Sequence, residues 1–189
     1  MTSIGSGMGI AVLPDVFCYT NQIVNLTLVG NENEFVLVDA GMPKSADEIS
    51  EMIAELFGEQ VKAFPQDGSI PHMQGWKWIH IPGHTSGHVS LFREADRALI
   101  AGDAFVTVKQ ESLYKVLTQT QEISGPPLYY TTDWKAAYQS VKILEALKPE
   151  VAVTGHGLPM NGKELRENLS YFTANFKEIA TPKNCRYTN

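Results

Sequence analysis

The sequence predicts an α+β fold in which two mixed sheets are covered on the outside by helices. Three observations lead there. Apolar runs of strand length at 35–38, 76–81, 97–101 and 151–154 are bounded by Gly, Pro, Asn or Asp. Segments 45–57, 134–147 and 161–179 instead carry apolar residues at helical spacing. The order is strands and a helix, then strands, then helix, strand and helix, with no internal repeat and no low-complexity tract.

Taken in order, residues 10–13 and 16–19 read as short strands broken at Pro14-Asp15. Residues 23–29 alternate around Asn25 and Thr27, and Gly30-Asn31-Glu32-Asn33 turns the chain into strand 35–38 as a hairpin. Ser45 with Glu48 forms a capping box for the first helix, whose face carries Ile49, Met52, Ile53, Leu56 and Phe57 before Gly58 ends it. From 59 to 75 the pattern is irregular around Pro65, Asp67-Gly68 and Pro71, with a short strand at 61–64. Strands at 76–81 and 88–93 follow, the first an apolar core strand, then a turn at 94–96 and a strand at 97–101. Periodicity is weak from 105 to 130, where Gly125-Pro126-Pro127 reads as a rigid loop. Tyr114, Tyr129 and Tyr130 there either border a pocket or anchor the loop, packing being the commoner role. Trp134, Ala137, Tyr138, Val141, Leu144 and Leu147 mark the second helix, stopped by Pro149. Asn161 with Glu164 caps the third, with Leu165, Leu169, Phe172, Phe176 and Ile179 on one face before Pro182.

A chain of 189 residues is long enough for one domain with a sizeable core, spanning 1–189. Fifteen Lys and Arg against 21 Asp and Glu leave a formal charge of −6 with no basic run, so neither nucleic acid nor an anionic membrane is the expected partner. The amino terminus lacks a basic region followed by an apolar core, and no stretch reaches membrane-span length, so the expected location is cytoplasmic. Cys18 and Cys185 read as two reduced thiols. Nothing in the sequence sets an oligomeric state.

Chemistry concentrates at strand ends. Four apolar runs deliver Asp39, His84, Asp103 and His156 next to glycines, in Asp39-Ala40-Gly41, Pro82-Gly83-His84, Gly102-Asp103 and Gly155-His156-Gly157. Small residues let the backbone turn sharply and the next side chain project above the sheet. A single His at a strand end is more often structural, and Asp is common in turns, so none decides the matter alone. All four together point to a divalent-metal site. His88 opens a strand and reads as support, while His72 and His80 read as ordinary loop and strand residues. Ser86 lacks the Gly-x-Ser-x-Gly surround of a nucleophile elbow, no phosphate-binding glycine loop is present, and Cys18 has no His partner nearby in sequence.

On these motifs the chain resembles the metallo-β-lactamase superfamily of hydrolases. Val36-Leu37-Val38-Asp39-Ala40-Gly41 is similar to its first motif, Pro82-Gly83-His84-Thr85-Ser86-Gly87-His88 to its third, Leu99-Ile100-Ala101-Gly102-Asp103 to its fourth, and Thr154-Gly155-His156-Gly157 to its last. The resemblance implies an αββα four-layer sandwich with two metal ions, usually zinc, at one edge. His84 would bind the first metal, Asp103 would bridge both and act catalytically, and His156 would bind the second, with Asp39 and His88 supporting them. The implied chemistry is attack by metal-bound hydroxide on a small-molecule ester, lactone or thioester. A β-lactam reading fits poorly, because a cytoplasmic chain would not meet such antibiotics.

One family element is missing. An H-x-H-x-D-H run should lie between the first helix and the strand before His84, yet Phe57-Gly58-Glu59 passes straight to Gln60-Val61-Lys62. The sandwich is therefore expected to be incomplete in its N-terminal half, with an internal deletion near 58–61. His84, Asp103 and His156 would then hold no ion or one between them, since zinc sites draw about three protein ligands per metal. A longer parent protein, a true deletion that leaves a metal-depleted pseudoenzyme or binding protein, and a neighbouring subunit that fills the gap all account for it.

Overall fold

The computed structural model describes residues 6–31, 34–38, 51, 70, 73–109, 112–118, 120–128 and 131–182. The first helix expected at 45–57, apart from Glu51, lies outside the described residues, as do the strand expected at 61–64, Asp39, His72, Tyr129, Tyr130 and Cys185.

Strands β1 (Gly9–Leu13), β2 (Val16–Asn21), β3 (Val24–Asn31) and β4 (Glu34–Val38) form an antiparallel meander in sequence order. Pro14 and Asp15 make the first turn, as their fixed φ and turn preference favour. The second sheet joins β5 (Trp76–His80), β6 (Val89–Arg93), β7 (Ala98–Gly102), β10 (Val151–Thr154) and β11 (Met160–Asn161) in the order β11-β10-β7-β6-β5. β7 and β10 are parallel, and β5, β6 and β11 run antiparallel to their neighbours. A separate ribbon pairs β8 (Val106–Val108) with β9 (Gln121–Ser124), flanking helix α1 (Leu113–Thr118). Helices α2 (Trp134–Ala146), α3 (Gly162–Ala174) and α4 (Phe176–Ile179) complete the described chain.

The alternation along each strand sorts its side chains into layers. Val16, Val29 and Val36 of the first sheet meet Leu91, Ile100 and Val153 of the second, so the two sheets share an apolar interior. On the far side of the second sheet, Phe92, Leu99 and Ala152 pack against Val141 and Leu144 of α2 and Leu165, Leu169 and Phe172 of α3. Each such buried Leu or Phe contributes roughly 1.5–3 kcal/mol relative to exposure. Arg93 ties the sheets together at one rim: its guanidinium donates to both Asp15 and Asp96 and lies 4.8 Å from the centre of the Trp76 ring.

Several details depart from the sequence reading. The run 76–81 buries Trp76 and Ile81 as a core strand would, but among the described residues it ends its sheet, and Trp78 is 52% exposed. The weakly periodic stretch 105–130 contains the β8–β9 ribbon and α1, elements too short to show a period. Asn161 is the N-cap of α3, as its spacing to Glu164 predicts, but its side chain makes no capping hydrogen bond, and its backbone is paired with Val151 as part of β11. The third helix breaks at Asn175, whose N–H bonds back to Tyr171 and Phe172, before α4 resumes.

β4 ends its sheet among the described residues. Beside it, a cavity of ≈ 540 Å³ opens between Leu37 and Val38 of β4, Trp78 of β5, and Leu91 and Ile100 of the second sheet. No helix among the described residues is long and apolar enough to cross a membrane.

Candidate metal centre

Topology alone explains why distant residues meet. Parallel β7 and β10 end at the same edge of their sheet, and β5, which shares their direction because β6 reverses between them, ends there too. The residues that follow these ends supply Asp103, His156 and His84. The β2–β3 turn of the other sheet reaches the same place through the carbonyl of Ile23.

Both imidazoles approach the Asp103 carboxylate. His84 Nε2 lies 3.4 Å from Asp103 Oδ2, and His156 Nε2 lies 3.6 Å from Asp103 Oδ1. Each imidazole is fixed from behind. His156 Nδ1 is 2.6 Å from the Ile23 carbonyl, which can only accept, so Nδ1 carries the proton. Thr131 donates its hydroxyl hydrogen to the Pro127 carbonyl at 2.8 Å, so it accepts from His84 Nδ1 at 3.2 Å. In the neutral Nδ1–H tautomer each ring turns a bare Nε2 toward the carboxylate. Burial holds the His84 pKa below its ordinary value against the opposing pull of Asp103, with His156 lowering it further.

Lone pairs facing lone pairs is an unfavourable arrangement that a cation between them relieves. Asp103 Oδ1 is buried and has no hydrogen-bond partner among the described residues. A tetrahedral ion with bonds of about 2.1 Å holds neighbouring donors about 3.4 Å apart, close to both separations seen here. In kind and spacing the donors fit a divalent metal. In number they fall short, for the two histidines approach opposite oxygens of one carboxylate, giving two pairs rather than one triad. No group of three or more His, Cys, Asp or Glu side chains suited to hold an ion is found among the described residues.

Glycines make the room. A Cβ at Gly155 would stand 2.2 Å from Asp103 Oδ1, and one at Gly102, where φ is +56°, would stand 2.8 Å from His88 Nε2. That His88 nitrogen accepts the Asp103 backbone N–H at 3.0 Å, anchoring the residue that carries the carboxylate. Asp39 lies outside the described residues. His80 is exposed, its Nε2 2.8 Å from the Ser86 carbonyl, and Tyr114 is 73% exposed. Cys18 is buried, and burial raises its thiol pKa to about 12, which makes it inert as a nucleophile. Sequence reasoning missed Thr131, Ile23 and Asn25, all of which act through contacts far apart in the chain.

A sandwich with imidazole and carboxylate donors at one sheet edge is the architecture of a metallo-hydrolase. Residues 53–156 match the model of the Metallo-beta-lactamase superfamily, and the chain belongs to that superfamily. It is 33% identical to the probable metallo-hydrolase YflN of Bacillus subtilis (strain 168) over 248 positions, covering 90% of this chain and 94% of the relative. Among solved structures it is similar to a metallo beta lactamase from Erythrobacter litoralis, with TM-score 0.63 and 13% identity over 90% of this chain and 92% of that one. It is also similar to a metallo-beta-lactamase family protein from Thermus thermophilus, with TM-score 0.53 and 17% identity over 89% of this chain and 81% of that one. The structural likeness establishes the αββα fold, and superfamily membership supports a metal-dependent hydrolase in general.

Proposed function

We propose that His84, Asp103 and His156 are the metal ligands of a hydrolase that acts on a small-molecule ester, lactone or thioester, with zinc as its metal and the cytoplasm as its location. The observation that supports this best is the pair of imidazole Nε2 atoms, at 3.4 and 3.6 Å, facing the two oxygens of one carboxylate. A divalent ion there supplies Lewis acidity and lowers the pKa of bound water to roughly 7. The chain's own residues do the positioning. Ile23 and Thr131 fix which imidazole nitrogen is bare, and His88 anchors Asp103 through its backbone N–H. Asp103 faces each histidine with one oxygen, would hold the ion with them, and would be the catalytic group that orients a water there.

We further propose that the chain lacks an internal segment near 58–61. Its alignment with the Bacillus relative runs over 248 positions, more than the 189 residues of the entire chain, so the relative contains residues with no counterpart here. Among the described residues β4 ends its sheet beside the cavity, which suits an added strand. Such a strand would pair with β4 and bring further donors. Among the described residues each pair offers two protein donors, below the three that zinc sites ordinarily draw. That shortfall favours a second reading for the 189-residue chain itself, a metal-depleted binding protein on the same fold.

Zinc titration by calorimetry, intact mass with metal analysis, and a panel of esters, lactones and thioesters separate the readings. At a mass of 20.9 kDa the chain is expected to bind at most one zinc weakly. With the relative's extra stretch inserted at 58–61, about two ions and turnover of a panel member are expected. Absence of metal and turnover from both forms overturns the hydrolase reading.

A further inference from the structure

We infer that Asn25 is a positioning residue that sets the direction of the His156 imidazole. Asn25 sits near the start of β3, fully enclosed, in the sheet that supplies none of the three described donors. Its side-chain amide nitrogen donates to the Thr154 carbonyl at 2.9 Å and to the Gly157 carbonyl. Its backbone N–H donates to the Gly155 carbonyl at 2.7 Å, and its side-chain oxygen accepts from the Thr20 hydroxyl at 2.8 Å. One residue thus holds three of the four carbonyls from Thr154 to Gly157. The fourth, that of His156, accepts from the Thr107 N–H at 3.1 Å and from the Thr154 hydroxyl at 2.7 Å.

The loop has no carbonyl left to rotate. Two residues before Asn25, the Ile23 carbonyl takes the His156 Nδ1 proton, so the same turn fixes both the loop and the ring it carries. Only an amide suits this place. It offers two donors to two carbonyls and one acceptor to a hydroxyl. An isosteric carboxylate would set oxygen against oxygen at both contacts with the loop, and a smaller apolar side chain would leave two buried carbonyls without donors. The first sheet therefore acts on the metal centre through the backbone of the second.

The metal arm of the test rests on the function proposed above, whereas the tautomer arm does not. Asn25→Asp and Asn25→Ala are compared with the unaltered chain by circular dichroism, by long-range proton–nitrogen NMR of the His156 ring without metal, and by zinc calorimetry. In the folded variants the ring should lose its single Nδ1–H tautomer, and zinc affinity should fall about 10–100-fold, the range for residues that orient a ligand from behind. If both variants unfold, Asn25→Gln decides, since it keeps the amide but moves it one methylene off the two loop carbonyls. It should mix the tautomers while the fold persists. A folded variant with the His156 tautomer unchanged overturns the inference. If the unaltered chain binds no zinc but the tautomer still responds, the metal reading fails and the positioning role stands.

Discussion

The two sheets of this molecule divide the work unequally. The second sheet carries the three donors of the candidate site and packs against α2 and α3 through a large enclosed cluster that includes Leu144, Leu165 and Phe172. The first sheet contributes backing, through Ile23 and Asn25, and borders a cavity of ≈ 540 Å³. The difference teaches that placing donors and holding them still are separable tasks. A half with a dense core can present ligands by itself, and the other half decides how firmly they point.

Truncation in the two halves should separate them most sharply. Phe172→Ala, in the helix-covered core, is expected to cost about 3–5 kcal/mol in urea unfolding. Val38→Ala, beside the cavity, is expected to cost about 1 kcal/mol or less, because few neighbours are lost. Equal costs would erase the contrast.

At the metal centre, Asp103→Asn should abolish measurable zinc binding, a larger loss than the about 10–100-fold expected at Asn25, because it removes the group common to both pairs. Calorimetry on the folded variant reads this directly. Retained affinity would show that the two histidines act without it.

The Arg93 link between the sheets gives a pH-dependent test. Hydrogen bonding from Arg93 holds the Asp96 pKa below its ordinary value, against the opposing effect of burial. Its contribution to stability is therefore present above the unfolded carboxyl pKa, about 3.9, and is lost as pH falls through the depressed folded value. Arg93→Met should flatten that acid limb in urea unfolding at a series of pH values. At neutral pH it should cost no more than about 1 kcal/mol, since both carboxylates are partly exposed. The smallest effect belongs to Trp78→Ala, expected within about 0.5 kcal/mol in the chain as it stands. In a form carrying the added segment the same change should cost several times more, because the ring would be covered.

How much of this was legible follows from the range of each interaction. His84, Asp103 and His156 stood out because strand, glycine and ligand are contiguous in sequence. The helix at 134–147 was visible from Trp134, Ala137, Val141 and Leu144, which share a face whatever surrounds them. Asn25 was not visible. It read as the polar member of an alternating strand, and its role depends on carbonyls some 130 positions away. Asn161 was legible as the N-cap of its helix from the spacing to Glu164, whereas its pairing with Val151, ten positions back on another strand, was not. Short ribbons such as β8–β9 carry too few residues to declare a period.

Gly155 has a consequence for anyone who probes the molecule by substitution. A single methyl group there would fall on a carboxylate oxygen, at 2.2 Å. Alanine, the habitual neutral probe, is at this position an intruder. Scanning the loop with it would report damage where nothing had been taken away, and a mutation catalogue read by convention would credit the smallest residue with a chemistry that belongs to its neighbour.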